Sequence, residues 1–133
     1  MYLYLVMSST GMVKIGKSAK PYNRFLQLST SSPVGLSLFF VYEYDEAVID
    51  LEKTYHRMFK NKRMHGEWFC LGKPELIKII EVNPSSVTSE LKEFLDEAEK
   101  WGFFNMQALN RLYLAVPVSW RFDAIGQKYL ESI

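Results

Sequence analysis

Apolar and polar positions along the chain mark out a short α+β core followed by helices. Tyr2, Tyr4 and Val6 would share one face of an opening strand, and Leu3, Leu5 and Met7 the other. Ser8-Ser9-Thr10-Gly11 supplies turn chemistry, and Met12 to Gly16 returns as a second strand, giving a hairpin. Lys20-Pro21 opens a helix with proline in its first turn and Tyr22, Phe25 and Leu26 on one face. The polar run Ser29 to Ser32, closed by Pro33, ends that helix. Leu36 to Tyr44 is an unbroken aromatic-rich run of strand length, read as a central strand buried on both faces. Asp45 then stands at an N-cap position. Ala47, Val48, Leu51, Tyr55, Met58 and Phe59 follow at helical spacing, and the basic cluster Lys60, Lys62 and Arg63 suits the negative end of the helix. Gly66 breaks the chain, Glu67 to Leu71 is extended, and Lys73 to Ile80 is a brief helix.

The character changes near Asn83-Pro84-Ser85-Ser86. Val87, Leu91, Phe94, Leu95, Ala98 and Trp101 form an apolar stripe, backed by the acidic residues Glu90, Glu93, Asp96, Glu97 and Glu99. Phe104 to Leu114 and Phe122 to Leu130 read as further helices. The expected fold is α+β: a small antiparallel three-stranded sheet flanked by helices, with a C-terminal helical extension. The expected division is a core domain over 1–82 and an extension over 83–133, which either covers the core or pairs with a second copy as a homodimer.

At 133 residues the chain has room for one full domain. Charged residues at 23% and apolar residues at 48% exclude wholesale disorder. The single cysteine, Cys70, excludes an internal disulfide and a multi-cysteine zinc site, so a reducing, cytoplasmic setting is expected. No run approaches the length that spans a bilayer, and no signal-type leader is visible. Residues 1–71 hold nine Lys and Arg against six Asp and Glu, net +3, whereas residues 72–133 hold seven against nine, net −2. Nucleic-acid binding would favour the first half, although a net +3 by itself is weak evidence for it.

Several polar residues stand where apolar ones would be expected. Lys14 lies inside the second strand between Val13 and Ile15. A turn centred on Ser9 makes it the cross-strand neighbour of Tyr4, and an ammonium beside a phenol favours the phenolate, one route to a general base. The plainer alternative is a surface lysine on a two-faced strand. Glu52 has Val48, Ile49, Tyr55, His56 and Phe59 as helix-face neighbours, and His56 lies one turn on. A carboxylate there must be paired, protonated or bound to a cation, and a single carboxylate suits Mg²⁺ better than zinc. Arg24, in the first turn of its helix, is either a phosphate fork or a solvated side chain. Lys17, Lys20 and Arg63 either add phosphate contacts or keep the surface soluble. The rings of Trp68 and Phe69 read first as core plugs, with base stacking by Trp68 as the alternative.

In combination these residues resemble the GIY-YIG endonuclease superfamily, in its phage-type branch, over about residues 1–71. Tyr2-Leu3-Tyr4 stands at the first motif and Val13-Lys14-Ile15-Gly16 at the second, with lysine in the second tyrosine's place. Arg24 stands at the family arginine and Glu52 at the metal-binding glutamate, with His56 and Gly66-Glu67-Trp68-Phe69 following. Tyr2 replaces a glycine, and Leu28 stands where several members carry histidine. The resemblance implies a divalent-metal-dependent DNA endonuclease, a phosphodiester hydrolase using one Mg²⁺ or Mn²⁺. Tyr4, Lys14, Arg24 and His56 would be catalytic, Glu52 would hold the metal, and DNA would contact Lys17, Lys20 and Arg63. The alternative is a catalytically silent DNA-binding module of the same fold.

Overall fold

The computed structural model describes residues 1–84 apart from Ser9, together with residues 89, 91–93, 95 and 96. The chain divides into two compact units, the first ending at Cys70 and the second beginning at Leu71. The first contains β1 (Tyr2–Ser8), β2 (Val13–Ser18), α1 (Pro21–Ser31), β3 (Leu36–Glu43), α2 (Leu51–Met58), β4 (Arg63–His65) and β5 (Trp68–Phe69). The five strands form one antiparallel sheet in the order β3-β1-β2-β5-β4. The expected α+β class holds. The sheet has five strands where three were expected, because the segment around Gly66 turns back on itself and adds two short ones.

β1 is a central strand, and its side chains are buried on both faces. The long apolar run at β3 is instead at the sheet edge. Its pairing with β1 passes from Leu5↔Phe40 to Val6↔Leu38, so Phe39 is an extra residue in a bulge. A bulge reorients the strand, and Leu38, Phe39 and Phe40 are all buried in succession. Continuous apolarity here records a bulged edge strand, not a central one.

The β1–β2 hairpin closes one residue later than expected. The Ser8 N–H donates to the Met12 carbonyl, and Gly11 takes the positive φ of +91° that the turn requires. Tyr4 therefore lies opposite Gly16, and Lys14 opposite Val6. A displacement of two residues along the partner strand preserves the face, so Tyr4 and Lys14 remain on one side of the sheet as diagonal neighbours.

The helices also depart from the expected bounds. α1 runs through the polar segment to Ser31, because the Thr30 and Ser31 hydroxyls donate back to the carbonyls of Leu26 and Gln27. Asp45 does not cap α2. Its carboxylate accepts from the Ala47 N–H in a separate turn that leaves Val48 80% exposed. Asp50 is the cap, accepting from the Lys53 N–H at 3.1 Å, and only Leu51 and Tyr55 are buried along α2 itself. Beyond it, Lys60–Lys62 form a 3-10 turn leading into β4.

In the second unit, α3 (Lys73–Val82) extends two residues past the expected end. The Glu75 carboxylate accepts from the Gly72 N–H at 3.0 Å to cap its start, and Leu76, Ile79 and Ile80 are buried. Ion pairs join Lys73 to Asp96 at 2.6 Å and Glu81 to Lys92 at 2.6 Å. Leu91 and Leu95, two residues of the apolar stripe, are buried. The helices read over 104–114 and 122–130, and any pairing of two copies through 83–133, lie outside the described residues. No described helix is long and apolar enough to cross a membrane.

The hairpin register makes a test. A Cβ placed on Gly16 would stand 2.4 Å from both Cζ and Oη of Tyr4, whose ring lies across that position. Gly16→Ala should therefore displace the buried ring and cost about 1–3 kcal/mol, the usual range for overpacking. Chemical denaturation checks this, and a variant as stable as the parent would show that the ring is not held there.

Candidate active site

Tyr4 is placed by the middle of the sheet, with its ring held down by the missing side chain of Gly16 and only 1% exposed. Burial pushes its phenol above the ordinary tyrosine range. The Arg24 guanidinium beside the hydroxyl opposes that rise, and the negative charges of Glu67 and Glu52 add to it. Arg24 projects from the exposed face of the first turns of α1, with Nη1 3.4 Å from the Gln27 side-chain oxygen. Tyr4 and Arg24, far apart in the chain, thus meet over one face of the sheet.

Lys14 comes to the same face but serves a different neighbour than expected. It is 7% exposed, and its ammonium lies 2.8 Å from the Glu67 carboxylate and 5.7 Å from the centre of the Trp68 ring. β5 provides this setting: Lys14 pairs with Trp68 across the ladder, and the Ile15 N–H donates to the Glu67 carbonyl at 3.1 Å. Trp68 is half-buried and carries the ammonium, whereas Phe69 is fully buried, so the two rings divide between surface and core.

Glu52 is half-buried on the first turn of α2, and burial is the leading reason that its carboxyl sits above the ordinary range. Glu67 adds to the rise, while His56 and Lys17 oppose it. Glu52 forms no ion pair with the described residues. The His56 ring donates through Nε2 to the Ile15 carbonyl at 2.8 Å and tilts against Phe69 with centroids 5.0 Å apart. β5 ends before it can serve that acceptor, so the imidazole completes the ladder and ties α2 to β2.

The three basic residues expected at DNA are in different states. Lys17 is held by Glu46 at 2.7 Å and Asp50 at 3.0 Å, which raise its proton affinity. Arg63 donates through Nε to the Gly66 carbonyl and lies over the Phe69 ring. Lys20 is exposed at the start of α1. Tyr44 ends buried with a hydroxyl that no described group satisfies, close to Asp50, Lys17 and Glu46. Glu67 was absent from the expected site residues. Its spacing to Lys14 carries no sequence signal, although Glu67 lies in the Gly66-Glu67-Trp68-Phe69 stretch that is part of the resemblance.

The T5orf172 domain family matches residues 1–83. The chain belongs to the T5orf172 domain family. The matched stretch holds Tyr4, Lys14, Arg24, Glu52, His56 and Glu67 together. No curated protein and no solved structure gives a significant match. Among the described residues of this T5orf172 domain, no group of three or more His, Cys, Asp or Glu is arranged to hold a metal ion. The donors facing the site are carboxylate oxygens in small number, a set that suits a hard cation retaining most of its waters.

The raised Glu52 carboxyl has a measurable consequence. The folded chain holds that proton more firmly than the unfolded chain does. The resulting stability is full below the ordinary carboxylate pKa and is lost as pH climbs through the folded value. At neutral pH the ionised side chain therefore costs stability. Without divalent metal, Glu52→Gln should raise Tm at pH 7, and its advantage should shrink as the pH falls toward 4. Scanning calorimetry across that range would refute the reading by finding the variant less stable at pH 7.

Proposed function

We propose that this T5orf172 domain is a divalent-metal-dependent DNA endonuclease hydrolysing phosphodiester bonds, as its resemblance to the GIY-YIG superfamily implies. The observation that carries the reading is that Arg24, from α1, hydrogen-bonds the Tyr4 hydroxyl of β1, which also feels the charge of Glu52 from α2. That combination supplies a hydroxyl, a fixed positive fork and a carboxylate with no ion pair among the described residues. Those are the groups that in-line attack of water on a phosphodiester needs.

In this reading the Arg24 guanidinium binds the non-bridging oxygens of the scissile phosphate and offsets charge as the phosphorus becomes five-coordinate. The Tyr4 hydroxyl accepts a hydrogen bond from the attacking water and orients it, while the water's proton is released to solvent as the new P–O bond forms. Arg24 holds the hydroxyl in place. Glu52 would hold Mg²⁺ or Mn²⁺. Such an ion, when bound, neutralises charge on the phosphate and stabilises the departing oxygen. His56 positions Glu52 by fixing α2 to β2. Lys20, exposed at the start of α1, serves the phosphate backbone more readily than Lys17 or Arg63, which already have partners.

One observation favours a second reading, a silent DNA-binding module. Burial pushes the Tyr4 phenol above its ordinary range, and the Lys14 ammonium is paired with Glu67. A plasmid-nicking assay separates the two. The endonuclease reading expects nicking with Mg²⁺ or Mn²⁺ and none with EDTA. Glu52→Gln should abolish nicking, and Arg24→Ala should reduce it by about 100-fold, in keeping with the loss of a positioned charge in the transition state. Because Arg24 is exposed, its variant should melt within a degree or two of the parent. DNA binding without cleavage under every metal would establish the silent module instead.

A further inference from the structure

From Lys53 to Gly66 the chain holds five Lys and Arg residues and both of its histidines, with no Asp or Glu. A helix end accounts for one or two such charges, because cations stabilise its negative pole, and leaves the rest unexplained. The fold gathers them. The His56 ring lies against the Phe69 ring with centroids 5.0 Å apart, and the Arg63 Cζ is 5.6 Å from the centre of the same ring. The last turn of α2 therefore stands beside the start of β4. Arg57, Lys60 and His65 are exposed there, and none of them forms an ion pair with a described residue. We propose that this α2–β4 edge is a second DNA-binding surface of the domain, one that holds backbone phosphates away from the cut.

Strand register puts this edge in line with the candidate active site. Trp68 pairs with Lys14, and His65 pairs with Trp68, so the three share the face of the sheet that carries Tyr4. In the strand order, β1 and β4 are three spacings apart, roughly 14 Å at about 4.8 Å each. Roughly four nucleotides of one strand cover that distance at about 3.4 Å each. A strand whose scissile phosphate sits at Tyr4 and Arg24 thus has further phosphates within reach of this edge. Charge complementarity selects the occupant. Lys17 is already shared by Glu46 and Asp50, whereas Arg57 and Lys60 give up only water and mobile ions when they meet a phosphate. His65 adds an imidazole N–H, which either tautomer can donate to a phosphate oxygen. The inference rests on DNA binding by the domain and not on cleavage.

The test is binding of a short fluorescent DNA duplex to the full chain, measured by anisotropy in EDTA over a range of salt concentrations, with circular dichroism as a check on folding. Arg57→Gln and Lys60→Gln should each flatten the dependence of log Kd on log salt by about 0.9, and the two together by about 1.8. Lys78→Gln, at an exposed position of α3, should leave that dependence unchanged. If the parent binds DNA and neither edge substitution alters the salt dependence, the inference fails, the DNA reading stands, and the surface is left to an acidic protein partner. If Lys78→Gln flattens the dependence as much as Lys60→Gln does, the effect is one of net charge and the inference fails likewise. If the parent binds no DNA, the DNA reading itself fails and takes the inference with it.

Discussion

Lys14 carries its charge into the second strand of the sheet with less than a tenth of its side chain in contact with water. Removing an ammonium from water costs several kcal/mol unless an opposite charge meets it. Glu67 meets it, and can do so only if the chain after α2 turns at Gly66 and lays β5 against β2. Gly66 accepts that turn at φ +54°, a conformation most side chains resist. From this one requirement follow the extra strands, the placement of Trp68 under the ammonium and the burial of Phe69. The fold and the site share the same ion pair.

Hydrogen bonds set the remaining geometry by completing what the short strands leave open. β5 is too short to serve the Ile15 carbonyl, and His56 reaches across from α2 to do so. Asp50 caps α2 with one carboxylate oxygen and holds Lys17 with the other, so the start of the helix is tied to the end of β2. Between these two ties stands Glu52, on a helix fixed at both ends. A carboxylate so placed keeps its position when ionised, although burial and Glu67 both oppose its charge. Tolerating that cost is characteristic of groups retained for binding and not for folding.

The charges divide between structural and available ones. Lys17 and Arg63 spend their donors on Glu46, Asp50 and Gly66. Lys20 is exposed at the start of α1, and the exposed Arg24 reaches the Tyr4 hydroxyl and the Gln27 side chain. The positive balance of the first half of the chain is therefore less than its formal value as a DNA-facing surface. Under the proposed function, recognition at the scissile phosphate would rely on a few well-placed groups instead of a broad basic patch.

Local pattern was enough to find the first strands and helices, though not the two short strands β4 and β5. Alternation marked β1, proline and periodicity marked α1, and apolar length marked β3, because each depends on side chains a few residues apart. The candidate residues Tyr4, Arg24 and Glu52 were equally legible, since their types and order carry the resemblance. What failed was everything set by partners distant in the chain. The edge position of β3 depends on a bulge that buries Phe39. The cap of α2 moved from Asp45 to Asp50, where the carboxylate also meets Lys17. Lys14 lies opposite Val6, not Tyr4, and pairs with Glu67. A sequence fixes which groups are charged and which are apolar. Only tertiary structure decides which of them meet, because the free energy of a buried charge depends on the partner that the fold brings to it.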